Sequence, residues 1–133
     1  KSSVVKVLED KKAVFKKFIH PSVIIAPNAK IGKGCIIFPY SICSFNSNLK
    51  EFITINLHSV VGHDVFVDSF STLSSFVDLT GKVKVGKKVM IGTGAKFLPE
   101  VQIGDSALIG AGSVILRSIP KNKTTYCFQT KIL

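Results

Sequence analysis

Arginine is nearly missing from this chain. Of its 18 basic residues, only Arg117 is an arginine. Guanidinium groups are the preferred bidentate readers of bases and phosphates. Their scarcity argues against a nucleic-acid partner, even with a formal charge of +10. Six lysines (Lys1, Lys6, Lys11, Lys12, Lys16 and Lys17) crowd the start, and solubility or a small polyanionic ligand accounts for such charge equally well. Long apolar runs are also missing: none reaches the roughly 18 residues of a membrane span, so no membrane partner is expected. No charged, apolar, small-residue leader marks the chain for secretion. Three cysteines cannot all pair and no CxxC occurs, which fits a reducing cytoplasm. Charge is sparse at 20% against 46% hydrophobic residues, a balance that supports a packed core rather than disorder. The length of 133 residues suits one domain.

What is present is a period of six. Stepping by six from Ile19 through Ile25, Ile31 and Ile37 to Ile115 meets an apolar residue at seventeen consecutive positions, all aliphatic or Phe except Cys43. Chance would give such a run about once in 10⁵ sequences of this composition. A second column, four residues further on from Val23 to Ile119, is uncharged and mostly small. Glycine follows the first column at Gly32, Gly62, Gly86, Gly92, Gly104 and Gly110, where backbone freedom at a corner is the expected reason. Six is neither a helical period nor a plain strand alternation. It predicts short strands separated by corners, each strand pointing one large residue inward. Such a chain is an all-β parallel solenoid whose coils bury one another.

The phase is unbroken from residue 19 to 120. The expected division is therefore an N-terminal segment at 1–18, a β-helix at 19–120 and a tail at 121–133. In the first segment, Val4, Val5 and Leu8 predict one face of a short helix ending near Lys12, followed by an extended Ala13–Phe18. In the tail, Tyr126–Phe128 are expected to cap the last coil.

The polar anomaly lies mid-chain, at Asn56–Asp68 (NLHSVVGHDVFVD). His63 falls at the third place of its hexad, an outward or corner position, and Asp64 follows it. An exposed imidazole beside a carboxylate has two readings, a plain surface pair or a general base whose tautomer the carboxylate fixes. The three cysteines are expected to be structural or incidental: Cys35 and Cys43 fall on the core columns and Cys127 in the tail.

Several segments resemble the left-handed β-helix acyltransferases, in particular the nucleotide-sugar and sialic acid acetyltransferases. They are IHPS at 19–22, IN at 55–56, SVVGHDVFVDSFSTLS at 59–74, GKVKVGKKVMIGTGA at 81–95 and IGDSALIGAGSVI at 103–115. The resemblance implies a left-handed helix with three hexads per coil, giving about 5.7 coils here. An 18-residue coil would set Phe45 below His63 and Gly81 above it. Gly81 is the only glycine at the third hexad place. It would leave room for substrate and offer an N–H to a developing oxyanion.

The resemblance further implies an acetyl-CoA-dependent transfer to a sugar amine or hydroxyl. His63 would be the base and Asp64 its orienting partner, with Asn56 in the acceptor site. The late coils would bind acetyl-CoA between subunits of a homotrimer, without a metal. Small residues at Thr93, Gly94, Ala111 and Gly112 would admit the pantetheine arm, while Lys121, with Lys87, Lys96, Arg117 and Lys123, would meet phosphates. Two departures are plain: Thr72 stands where some members carry a second His, and a preceding nucleotide-sugar domain is represented at most by its last helix and strand.

Two other readings stay open. Gamma-class carbonic anhydrases share the hexads and bind zinc through three His. His58 and His63 match two of those ligands by spacing, but Ser22 stands where the third belongs and His20 is two residues off. A non-catalytic trimeric scaffold is the third reading, because fold does not imply function.

Overall fold

A computed structural model describes residues 1–127. After one helix, α1 (Ser2–Asp10), the chain winds into a left-handed parallel β-helix of about six turns. Each strand is two residues long. Three flat faces result. The first carries seven strands, from Phe18–Ile19 to Thr124–Thr125. The second carries six, from Ile24–Ile25 to Val114–Ile115, and the third five, from Lys30–Ile31 to Gln102–Ile103.

Neighbouring strands pair in parallel with a register of one coil, as in Thr54↔Thr72, Val60↔Asp78 and Phe66↔Lys84. The 18-residue coil expected from three hexads is therefore the observed repeat. The second residue of each strand is the first-column residue and points inward. Ile37, Ile55, Leu73, Ile91 and Ile109 are completely buried on the first face. Phe97 fills the second face at 1% exposure. Between them lies the small second column, also buried from Cys35 to Ser113. Its serines stitch coils together: Ser59 Oγ donates to Ser74 O at 2.9 Å and accepts from the Val77 N–H at 3.2 Å. The Ser41 and Ser71 hydroxyls are satisfied in the same way, whereas the buried Ser47 and Ser113 hydroxyls have no partner among the described residues.

Three expectations need correction. The glycines that follow the first column are not there for backbone freedom, because none of them has a positive φ. They allow close approach. A Cβ at Gly32, Gly62, Gly92, Gly104 or Gly110 would come within 2.3–2.7 Å of the backbone of the next coil. The left-handed conformation falls instead three places after the first column, at every sixth residue from Gly34 to Gly112, and most of those residues are not glycine.

The second correction concerns phase. Ile119 bridges Ile103, and Leu108 pairs with Thr124. Both offsets are two residues short of a coil. The corner after Ile115 is shortened, and Ser118 Oγ accepts the Gln102 N–H at 2.9 Å. Ile119 thus belongs to the first column, not the second.

The third concerns the helix. Val5 is buried, but Val4 is 61% exposed and Leu8 half-exposed. The segment is held mainly by polar contacts: the Lys1 ammonium, with three N–H donors, lies 2.9–3.2 Å from four acceptors, Phe52 O, Thr54 Oγ1, Ser71 O and Thr72 Oγ1. Burial there lowers the Lys1 pKa. Phe15 also packs edge-on against Phe52. Beyond the Thr124–Thr125 strand, Tyr126 is 81% exposed, and Phe128 lies outside the described residues.

The two kinds of glycine separate in stability. Gly32→Ala drives a Cβ to 2.4 Å from Lys50 O and is expected to cost about 2–3 kcal/mol. Gly94→Ala, at φ +72 with open space around its Cβ, is expected to cost about 1 kcal/mol. Denaturant unfolding of both variants checks this, and equal losses would contradict the close-approach account.

Candidate active site

The corners between faces are edges of a triangular prism, and the sequence-predicted site residues fall on them, except Lys96, which lies in the Lys96–Phe97 strand. His63 and Asp64 form the corner after Val60–Val61, between the second and third faces. Asp64 takes the left-handed conformation (φ 57) that this turn demands. The corner is pinned to its neighbours: the Asp64 N–H donates to Phe45 O at 2.8 Å, and the Lys82 N–H donates to His63 O at 2.9 Å.

His63 Nδ1 lies 2.9 Å from Asp64 Oδ2. The other carboxylate oxygen, Oδ1, accepts the Asn46 Nδ2 amide at 3.1 Å. The hydrogen bond to His63 and then that from Asn46 hold the Asp64 carboxyl below its ordinary pKa. An ionised Asp64 accepts the Nδ1 proton and so leaves Nε2 as the free base of a neutral ring. Nε2 faces Gly81, where a Cβ would come within 2.3 Å of it. Any other residue at 81 would push the imidazole aside. The Gly81 carbonyl accepts the Glu100 N–H at 3.1 Å, while its own N–H has no acceptor among the described residues. His63 and Asp64 side chains are 59% and 44% exposed. The expected His63–Asp64–Gly81 cluster is thus assembled on one edge of one protomer.

Thr93, Gly94, Ala111 and Gly112 come together on a different edge, between the first and second faces. The Gly112 N–H donates to Thr93 O at 2.8 Å, and a Cβ at Gly94 or Gly112 would meet nothing. Lower on this edge stands a stack: Tyr40, His58 and Phe76 lie ring on ring with centroids 5.0 and 5.1 Å apart. Asn56 is on this edge too, its Nδ2 donating to Leu73 O at 3.0 Å. Lys121 lies over Gly104 on the third edge, between the third and first faces. Arg117 helps line a cleft of about 670 Å³ with Gly112, Leu116, Ile119, Thr125 and Tyr126 at the top of the helix. The chain therefore spreads the candidates over three edges.

Two features escaped sequence reasoning. Asn46 was findable, since it lies one coil, 18 residues, below Asp64. The Tyr40–His58–Phe76 stack has the same 18-residue signature. That stack also bears on zinc. Tyr40 intervenes between His58 and Ser22, and His20 Nδ1 is paired with Ser22 Oγ at 2.9 Å. Among the described residues no three His, Cys, Asp or Glu side chains converge on a metal position. Cys35 and Cys43 are buried, and burial pushes the Cys43 thiol up to about 12, so neither is a nucleophile near neutral pH.

Known proteins agree with this architecture. A family model described as bacterial transferase hexapeptide (six repeats) matches residues 82–117. GDP-perosamine N-acetyltransferase of Escherichia coli O157:H7 is 31% identical over 101 residues, covering 76% of this chain and 38% of that protein. Serine acetyltransferase of Escherichia coli strain K12 is 34% identical over 117 residues, covering 84% and 38%. Two solved structures superpose closely. The acetyltransferase domain of PglB from Neisseria gonorrhoeae FA1090 in complex with acetyl coenzyme A gives a TM-score of 0.92 at 28% identity, covering 95% of this chain and 62% of that one. PerB from Caulobacter crescentus in complex with CoA and GDP-perosamine gives 0.93 at 27%, covering 95% and 61%. The chain is a hexapeptide-repeat protein of the left-handed β-helix type, homologous to sugar N-acetyltransferases and serine acetyltransferases. It spans about two fifths of the length of the curated relatives it matches.

The Asp64 shift is directly measurable. In a carbon-detected pH titration, Asp64 is expected to titrate below other exposed aspartates. His63→Ala is expected to move it up toward them, because the hydrogen bond from the imidazole that favours the carboxylate is removed. An Asp64 midpoint unchanged by His63→Ala would refute the hydrogen-bonded pair.

Proposed function

We propose that this chain carries the acetyl-transfer half of an acetyl-CoA-dependent sugar acetyltransferase, with His63 as the general base. The observation that carries the reading is the exposed His63 imidazole packed against Gly81, where any Cβ would displace it, with its Nδ1 held by Asp64. It stands in a fold whose solved relatives hold acetyl-CoA or CoA.

The acceptor amine or hydroxyl loses its proton to His63 Nε2 as its lone pair attacks the thioester carbonyl carbon. Charge gathers on the carbonyl oxygen, for which the Gly81 N–H, without an acceptor among the described residues, is the candidate donor. The carbon–sulfur bond then breaks, the imidazolium returns the proton to the departing thiolate, and CoA and the acetylated acceptor leave. Asp64 stabilises the imidazolium in between. No covalent enzyme intermediate forms, consistent with the inert Cys35 and Cys43 thiols.

The acceptor class we favour is the amine of a nucleotide-linked sugar, because PerB, solved with CoA and GDP-perosamine, superposes at a TM-score of 0.93. Sialic acid hydroxyls and the serine hydroxyl, the latter from the 34% identity to serine acetyltransferase, are the rivals. Acetyl-CoA is assigned to the edge at Thr93, Gly94, Ala111 and Gly112, where missing side chains let a pantetheine arm approach the backbone. Lys121 and Arg117 are assigned to its phosphates.

The placement of the edges supports a homotrimer. Since no single protomer joins His63 to that donor edge, we infer that His63 of one protomer meets the donor edge of its neighbour. Exposed apolar side chains on the face between those edges (Ile24 at 63%) and on the edges themselves (Tyr40 at 62%, Phe45 at 58%) are suited to burial in such an assembly. No helix among the described residues is long and apolar enough to cross a membrane. The three unpaired cysteines favour a reducing compartment, and we place the protein in the cytoplasm.

The test is release of free CoA thiol from acetyl-CoA with nucleotide-linked amino sugars, sialic acid and serine as acceptors. Turnover is expected with an amino sugar. In His63→Ala, kcat is expected to fall about 10³-fold while acetyl-CoA binding, measured calorimetrically, is kept. Unchanged kcat in His63→Ala would overturn the base assignment, and turnover with serine alone would overturn the sugar.

A further inference from the structure

The His63–Asp64 pair is exposed, and an exposed pair of this kind gains little geometric restraint from burial. Its restraint comes from a polar column running down the same edge. Asn28, Asn46, Asp64, Lys82 and Glu100 occupy the equivalent corner place in successive coils. From Asn46 upward all are in the left-handed conformation, which turns their side chains out along one line.

The lower half of this column is directional. Asn28 Nδ2 donates to Asn46 Oδ1, and the Asn46 N–H donates to Asn28 Oδ1 at 3.1 Å. With its Oδ1 thus engaged from below, Asn46 presents Nδ2 upward. That amide donates to Asp64 Oδ1 at 3.1 Å, leaving Oδ2 turned to His63 Nδ1 at 2.9 Å. Above, Lys82 Nζ is 3.2 Å from Glu100 Oε1. Lys82 therefore contributes charge near Asp64 but is held by Glu100, so that the direct partner of Oδ1 is neutral Asn46.

We propose that Asn46 is a positioning residue for acetyl transfer. By clamping Asp64 Oδ1 from the coil below, it orients Oδ2 onto His63 Nδ1 and so fixes the imidazole with Nε2 bare and facing Gly81. Asn28 serves Asn46 in the same way one coil further down. The inference rests on the assignment of His63 as base. It adds that the pair is oriented by a neutral amide rather than by burial. Asn46 touches neither substrate nor the imidazole, and it acts through Asp64.

Two variants and two readouts test this. Asn46→Ala removes the clamp. Asn46→Asp keeps the shape and the acceptor for Asn28, but replaces the donor with a second carboxylate. Nitrogen-15 spectra of His63 are expected to show the Nδ1–H tautomer in the parent chain and a mixture of tautomers in Asn46→Ala. In the thiol-release assay both variants are expected to lose about tenfold in kcat with KM for acetyl-CoA within about twofold, since the lost interaction bears on the transition state rather than on binding. Asn46→Asp should lose as much as Asn46→Ala although it preserves the column. A folded Asn46→Ala with parental kcat and an unchanged His63 tautomer would overturn the proposal. An active His63→Ala would instead overturn the assignment of the base, so the two failures are distinguishable.

Discussion

The in-register parallel ladder governs this molecule. A strand of two residues has almost no stability of its own. Here each is held because its backbone bonds to the coil one repeat before and one repeat after, as when the Gly62 N–H donates to Leu79 O at 2.7 Å. The pairing forces every residue to stand on its equivalent in the coil below. Apolar residues then become continuous core columns, and the glycines that follow them are required where adjacent coils come within 2.3–2.7 Å of a would-be Cβ. The same stacking turns each corner place into a vertical column. Tyr40–His58–Phe76 is an aromatic one and Asn46–Asp64–Lys82 a polar one.

Function is written in those columns. His63 projects from one edge because it is the outward residue of a tight corner, and Gly81 is above it because one coil is 18 residues. Asp64 is low in pKa because hydrogen bonds from its neighbour and from the coil below both favour its charged form. The edge with Gly94 and Gly112 is open for a complementary reason: the aromatic column stops at Phe76, and two glycines continue it without side chains. On the proposed reading each of these two edges supplies part of the site, and association of equivalent edges around a threefold axis is what would make it whole.

Much of this was legible in the sequence, for identifiable reasons. The core columns were readable because inward and outward residues alternate at a fixed period, so burial leaves an apolar trace. His63, Asp64 and Gly81 were readable because two are adjacent and the third is one coil away. Ile119 was misplaced because either column accepts an aliphatic residue, and a corner shortened by two leaves no compositional mark. The glycines were read for the wrong property, since a sequence names the residue and not its φ. Asn46 was missed because a polar side chain at a corner carries no apolar signal. The 18-residue spacing places it below Asp64, but the hydrogen bond between them depends on side-chain direction as well.

The central claim is that His63 of one protomer works with the Gly94 edge of another. Complementation tests it most directly. His63→Ala removes the base, and Gly94→Phe fills the donor edge with a residue the column already tolerates at Phe76 (φ 60). Each variant alone should be inactive as a folded trimer. Co-assembled in equal amounts, they should recover about one quarter of parental activity, because a random neighbour pair joins an intact base to an intact donor edge about one time in four. Mixed trimers no more active than either parent would contradict a site shared between protomers.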